Sequence, residues 1–102
     1  MPAVAGRFYA AEPEALKRDV AGYLAAGAGT PRAALAVMAP HAGLVYSGGV
    51  AGQVFAAVEV PKRVIVLCPN HTGRGAKIAV ITEGAFRIPG ADVPIDTELA
   101  AA

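Results

Sequence analysis

The sequence predicts an α/β fold in which a central, mainly parallel sheet is flanked by helices, and it predicts this as the incomplete half of a larger fold. Three observations carry the expectation. Two short runs, "AALAVMA" at 33–39 and "RVIVLC" at 63–68, have the unbroken apolar character of strands buried on both faces. A helix-length segment separates them, which makes a βαβ unit with a right-handed crossover and parallel strands. Finally, the 102 residues are 55% hydrophobic, although a chain of this size buries only roughly 65% of its unfolded surface, so part of the apolar surface needs cover from elsewhere.

The elements follow in order. Residues 12–26, "EPEALKRDVAGYLAA", set Pro13 in the first turn, align Leu16, Val20, Tyr23 and Leu24 on one face, and meet Gly27 as a stop. "AGAGTPR" is a loop leading into the first apolar run. The small residues of "GLVYSGGVAGQVFAAV" turn the chain into a second helix, whose expected apolar face is Val50, Val54, Phe55 and Val58 and whose end lies near Pro61. After the second run, "KIAVIT" and "AFRIP" form either a hairpin across Glu83-Gly84 or two edge strands, and "PGADVP" reads as a turn. Asp96 is the N-cap of a helix beginning in "TELAAA". A helix of one turn is no natural domain end, so 1–102 is expected to be the N-terminal portion of a single domain.

Composition excludes several functions. Nine basic and eight acidic residues give a net charge of +1 with no run of like sign, which opposes nucleic-acid binding and an electrostatic membrane anchor. No stretch approaches the roughly 20 apolar residues of a membrane span, and the opening "MPAVAGRFYA" lacks the pattern of a signal peptide. The single Cys68 has no partner within the chain, so a reducing cytoplasm is the expected compartment.

The chemistry-bearing positions are His41 in "AVMAPHAGLVYSGG" and His71 in "VIVLCPNHTGRG". They stand three and four residues beyond Met38 and Leu67, at the carboxyl ends of the two expected strands, where open α/β sheets bind ligands. If the strands are neighbours, the two imidazoles converge on one crevice and offer neutral nitrogen ligands to a metal. A zinc or non-haem iron site needs a third protein ligand, and Glu83, Asp92 and Asp96 are the candidate carboxylates, none in a compelling spacing. The competing reading has each histidine capping its strand end through a hydrogen bond to the turn. Cys68 suits a small buried hydrophobe better than a nucleophile with His71 as base, because only Arg74 is near in sequence to lower its pKa. "NHTGRG" matches neither the phosphate-loop nor the dinucleotide fingerprint, which leaves an anion site at Arg74 weakly supported. Phe8, Tyr46 and Asn70 are the candidates for a substrate or partner pocket, with cover of the core as the competing role for the aromatic pair.

At "APHAGLVYSGG" and "LCPNHTG" the chain resembles the Memo-like family, whose bacterial and archaeal members are called AmmeMemoRadiSam system protein B. The resemblance extends to "VAGRFYAAEPEALKRDVAGYLA" and "FRIPGADVPID", and so covers the chain with several ungapped motifs in order. It implies a fold distantly similar to class III extradiol dioxygenases, with His41 and His71 at two metal-site positions and iron or copper as the metal. It also implies association with AMMECR1-type and radical-SAM proteins. Two departures matter: Cys68 stands where the family usually has glycine, and members are roughly two to three times longer, in the range of ordinary α/β domains. A further histidine and a cysteine of the family's site are expected beyond Ala102, leaving half a site here. The 102 residues alone are expected to have little or no turnover and to self-associate. A non-catalytic module that captures a peptide or partner domain is the alternative function.

Overall fold

The computed structural model describes residues 2–27 and 29–102; the loop expected at 26–32 therefore lies partly outside the described residues. The chain is mixed α/β: α1 (Pro13–Ala25), α2 (Leu44–Ala56), β1 (Ala85–Ile88), β2 (Ala91–Pro94) and α3 (Thr97–Ala101).

Helix α1 starts where its side chains direct. Glu12 caps it by accepting hydrogen bonds from the amides of Glu14 (3.1 Å) and Ala15 (2.8 Å), and those two bonds, the Glu14 bond foremost, hold the Glu12 carboxyl below its ordinary pKa. Pro13 takes the first helical position, where its missing N–H costs nothing. The expected apolar face packs in part: Leu16 is buried and Tyr23 half-buried, the latter against α2, while Val20 and Leu24 remain exposed.

Helix α2 corrects one expectation. Its buried residues are Ser47, Gly48 and Gly52, while Val50 and Phe55 remain exposed. The reason is the closeness of the crossing. A methyl group at Gly48 would stand 2.6 Å from the Tyr23 ring, and one at Gly52 would overlap the Tyr23 carbonyl. At Gly27 a methyl would overlap the side chain of Ala56. Only glycine lets the two backbones approach this far.

Among the described residues, the two apolar runs do not form the central parallel sheet expected of them. Residues 33–39 and 64–69 lie outside every helix and strand, with a bend at Leu35, and no ladder joins them among the described residues. The parallel bridge between Arg32 and Val58 ties down only the entry to the first run, through Arg32 N–H to the Ala57 carbonyl and Glu59 N–H to the Arg32 carbonyl, both 3.0 Å. The runs instead flank an apolar cleft of about 420 Å³, lined by Leu35, Val37, Phe55, Val58, Ile65 and Leu67 among others. Parallel strands are stable when both faces are covered. Here Leu35 (108% exposed), Met38 (92%) and Leu67 (90%) meet solvent.

The sheet that does form is the antiparallel pair β1–β2, with Phe86 opposite Val93 and Ile88 opposite Ala91. Lys77–Thr82 stays outside it, and "PGADVP" supplies both the turn and the second strand, against the expected hairpin across Glu83-Gly84. Pro89-Gly90 explains the choice: proline presets the first central position of a type II turn and glycine the second, where Gly90 has φ +89°. Arg87 and Asp92 pair across the strands (2.8 Å), which lowers the Asp92 pKa and raises that of Arg87. Asp96 caps α3, accepting from the Leu99 amide at 3.0 Å as expected. Among the described residues no helix is long and apolar enough to cross a membrane.

Asp96 also receives Arg63 Nε–H, joining the start of the second apolar run to α3. The Arg63 bond first, and the Leu99 amide second, hold the Asp96 carboxyl below its ordinary pKa. The folded state thus binds this proton less readily than the unfolded chain, so the contribution is complete above the unfolded value of about 3.9 and disappears as pH falls through the lowered folded value. The protection of the Leu99 amide, its exchange measured against the intrinsic rate at each pH, should accordingly fall below about pH 4 and stay constant in Asp96→Asn; an equal loss of protection in both proteins would place the pH sensitivity elsewhere.

Candidate functional site: a histidine pair between two loops

His41 and His71 come from loops thirty residues apart and meet with Nε2···Nε2 at 3.1 Å. Their ring centroids are 5.2 Å apart and the planes are tilted by 37°. The convergence anticipated from matching strand-end contexts is therefore present, although the strands themselves are unpaired.

Each loop is built locally. On the first side, Ser47 is buried and its hydroxyl donates to the Ala42 carbonyl at 2.8 Å, with the Gly43 carbonyl 3.3 Å away. The Leu44 amide at the start of α2 donates to the Phe8 carbonyl (2.7 Å), which ties the loop of His41 to the N-terminal turn. On the second side, Asn70 organises its own turn. Its Oδ1 accepts from Thr72 N–H (3.1 Å), the Thr72 hydroxyl (3.1 Å) and Gly73 N–H (3.0 Å), and its Nδ2 donates to the Arg74 carbonyl (2.8 Å). Gly73 has φ +66° and Gly75 φ +79°, values that suit glycine in so tight a turn.

The other pocket candidates are placed differently. Phe8 lies against Gly43, with the Arg7 guanidinium carbon 5.9 Å from its ring centroid. Tyr46 projects from the first turn of α2 and is 84% exposed. Asn70 is occupied within its turn. Cys68 is an exposed free thiol rather than the buried hydrophobe expected. Ser47, which its sequence context beside Tyr46 offers as a polar group for the crevice, instead spends its hydroxyl on the Ala42 and Gly43 carbonyls, partners that carry no sequence signal.

Two explanations fit a 3.1 Å nitrogen separation. In a hydrogen bond, one ring carries its proton at Nε2 and the other accepts there. As two neighbouring ligands of one metal, nitrogens at about 2.0–2.1 Å from the ion stand about 2.8–3.4 Å apart in octahedral or tetrahedral sites. The pair fits that span. Among the described residues no group of three His, Cys, Asp or Glu side chains could hold a metal ion. Asp92 and Asp96, two of the three candidate carboxylates, are paired with Arg87 and Arg63.

The model of the Memo-like protein family matches residues 1–102. The chain belongs to that family. Its Memo-like character is equally plain in individual relatives. A MEMO1 family protein of Methanopyrus kandleri is 42% identical, and one of Methanothermobacter thermautotrophicus 40% identical, each match covering 99% of this chain and 40% of the relative. A MEMO1 family protein of Aquifex aeolicus is 40% identical over 96% of this chain and 37% of its own length. This Memo-like chain thus spans about two-fifths of the length of these relatives. No solved structure gives a significant match.

Proposed function

We propose that the His41–His71 pair contributes two imidazole ligands to a metal centre, iron or copper, that acts on a small redox substrate in the complete Memo-like protein. The observation that carries this reading is the 3.1 Å separation of the two Nε2 atoms, which suits adjacent ligands. Imidazole is a ligand common to both metals. When bound, the metal would supply a centre that polarises the substrate and exchanges electrons with it. The chain's own residues perform the rest: the histidines hold their nitrogens toward one point, Ser47 and the Phe8 carbonyl brace the first loop, and Asn70 braces the second. Remaining ligands come from outside the residues that match. In the same reading the two apolar runs become parallel strands of a dioxygenase-like sheet once their faces are covered, and the exposed thiol of Cys68 suits a reducing cytoplasm. AMMECR1-type and radical-SAM proteins are the proposed partners.

Titrating Fe(II) and Cu(II) into this chain and into a His41→Ala, His71→Ala double variant tests the site. Affinity should fall by at least about tenfold in the double variant, since both first ligands are gone; equal affinity would remove the proposal. The partner-binding alternative draws on the exposure of Phe8 (51%) and Tyr46 (84%). A double variant that still captures an AMMECR1-type protein while losing metal would separate the two functions.

A further inference from the structure

We infer that Asn70 is a positioning residue whose side chain sets the place of the His71 imidazole relative to His41. The inference rests on the reading of the pair as ligands and adds a residue that touches neither the metal nor a substrate. The geometry is unusually complete for one exposed side chain. All of Asn70's contacts fall within the five residues 70–74: Oδ1 gathers two amides and a hydroxyl, and Nδ2 reaches the carbonyl of Arg74. The Thr72 hydroxyl extends the frame by accepting from the Arg74 amide at 3.3 Å.

His71 is enclosed in sequence by this frame, between the residue that supplies the acceptor and the first residue that donates to it. Fixing residues 70 and 72 leaves the intervening backbone little freedom, so the direction in which the imidazole leaves the chain is decided by the turn. This matters more here than in a regular element. The preceding run, 64–69, makes no ladder among the described residues, so no sheet fixes the loop's base. Asn70 replaces by local hydrogen bonds what strand pairing does elsewhere. Alanine removes all four contacts; aspartate keeps the three at Oδ1 and loses only the donation to Arg74.

Cu(II) electron paramagnetic resonance, at a concentration where light scattering reports monomer, supplies a readout independent of turnover, because nitrogen couplings count the imidazoles on the ion. The measurement is made in Cys68→Ser, which removes the exposed thiol, with His41→Ala, His71→Ala as the baseline. The Asn70-intact protein should show two imidazole nitrogens above baseline, Asn70→Ala one, and Asn70→Asp two; Cu(II) affinity in Asn70→Ala should fall about tenfold or more. Two nitrogens in Asn70→Ala would overturn the role of Asn70 while leaving the histidine site standing. Fewer than two in the Asn70-intact protein would overturn the site itself, and the inference with it. Residues 70–74 lie outside every helix, so helical circular dichroism should be unchanged. Were it lost in Asn70→Ala, Thr72→Val decides instead: it deletes one contact to Oδ1 and the link to Arg74, and should give a mixture of one- and two-nitrogen spectra, whereas a spectrum unchanged from the Asn70-intact protein would overturn the inference.

Discussion

Gly52→Val should loosen the helix pair, lowering its stability by about 1–3 kcal/mol, the usual range for forcing added methyl groups into a packed contact. Any side chain at Gly52 meets the backbone carbonyl of Tyr23 rather than the movable end of a side chain. The contact can therefore be relieved only by moving one helix. Gly49 is the control. It lies in the same helix with open space around it, so Gly49→Ala should raise stability by about 0.5–1 kcal/mol through the lower backbone entropy cost of alanine. Denaturant titrations followed by helical circular dichroism should move the two midpoints in opposite directions. Identical midpoints for Gly52→Val and the parent would mean that α1 and α2 do not cross as closely in solution.

The isolated chain should self-associate, and charges at Leu35 and Leu67 should suppress it. The accessible surface is 8443 Å², whereas a compact monomer of this mass exposes about 5,300 Å². The excess of about 3,000 Å² exceeds the roughly 800 Å² that one partner contributes to a standard protein interface. Much of it lies on the two runs whose strand-forming backbone lacks a ladder, which makes them templates for pairing with other chains. Light scattering should report oligomers that grow with concentration, and Leu35→Glu, Leu67→Glu should shift the distribution toward monomer. A monodisperse monomer of the unaltered chain at high concentration would show that its apolar surface finds cover internally.

Local signals in the sequence were the most legible. Pro13 marks the first turn of α1 and Asp96 caps α3, because a cap is decided by residues within one turn of each other. Pro89-Gly90 carried an equally local signal, but "PGADVP" looked like turn alone since its second half holds a proline and an aspartate. Only the register shows Asp92 paired with Arg87 and Pro94 at the open end of the pair. The face of α2 was misjudged for a different reason. Hydrophobic periodicity selects large apolar residues, whereas a close crossing selects the absence of side chains, so Gly48 and Gly52 face inward and Val50 does not. The histidine pair was legible as a repeated context, an apolar run ending in proline and histidine. The residues that hold it, Ser47 and Asn70, were not legible as such because their partners are backbone atoms.

By itself the sequence determined the family, the two long helices, the cap of α3 and the pairing of His41 with His71 as a hypothesis worth testing. Those features depend on residues near one another in the chain or on motifs matched as a whole. Tertiary structure alone decided that the imidazole nitrogens stand 3.1 Å apart, that α2 buries its glycines, and that the two apolar runs remain unpaired around a cleft. Strand propensity can make a segment extended. A parallel sheet also requires neighbours to accept its hydrogen bonds and layers to cover both its faces, and those conditions are set by what surrounds a strand, not by the residues within it.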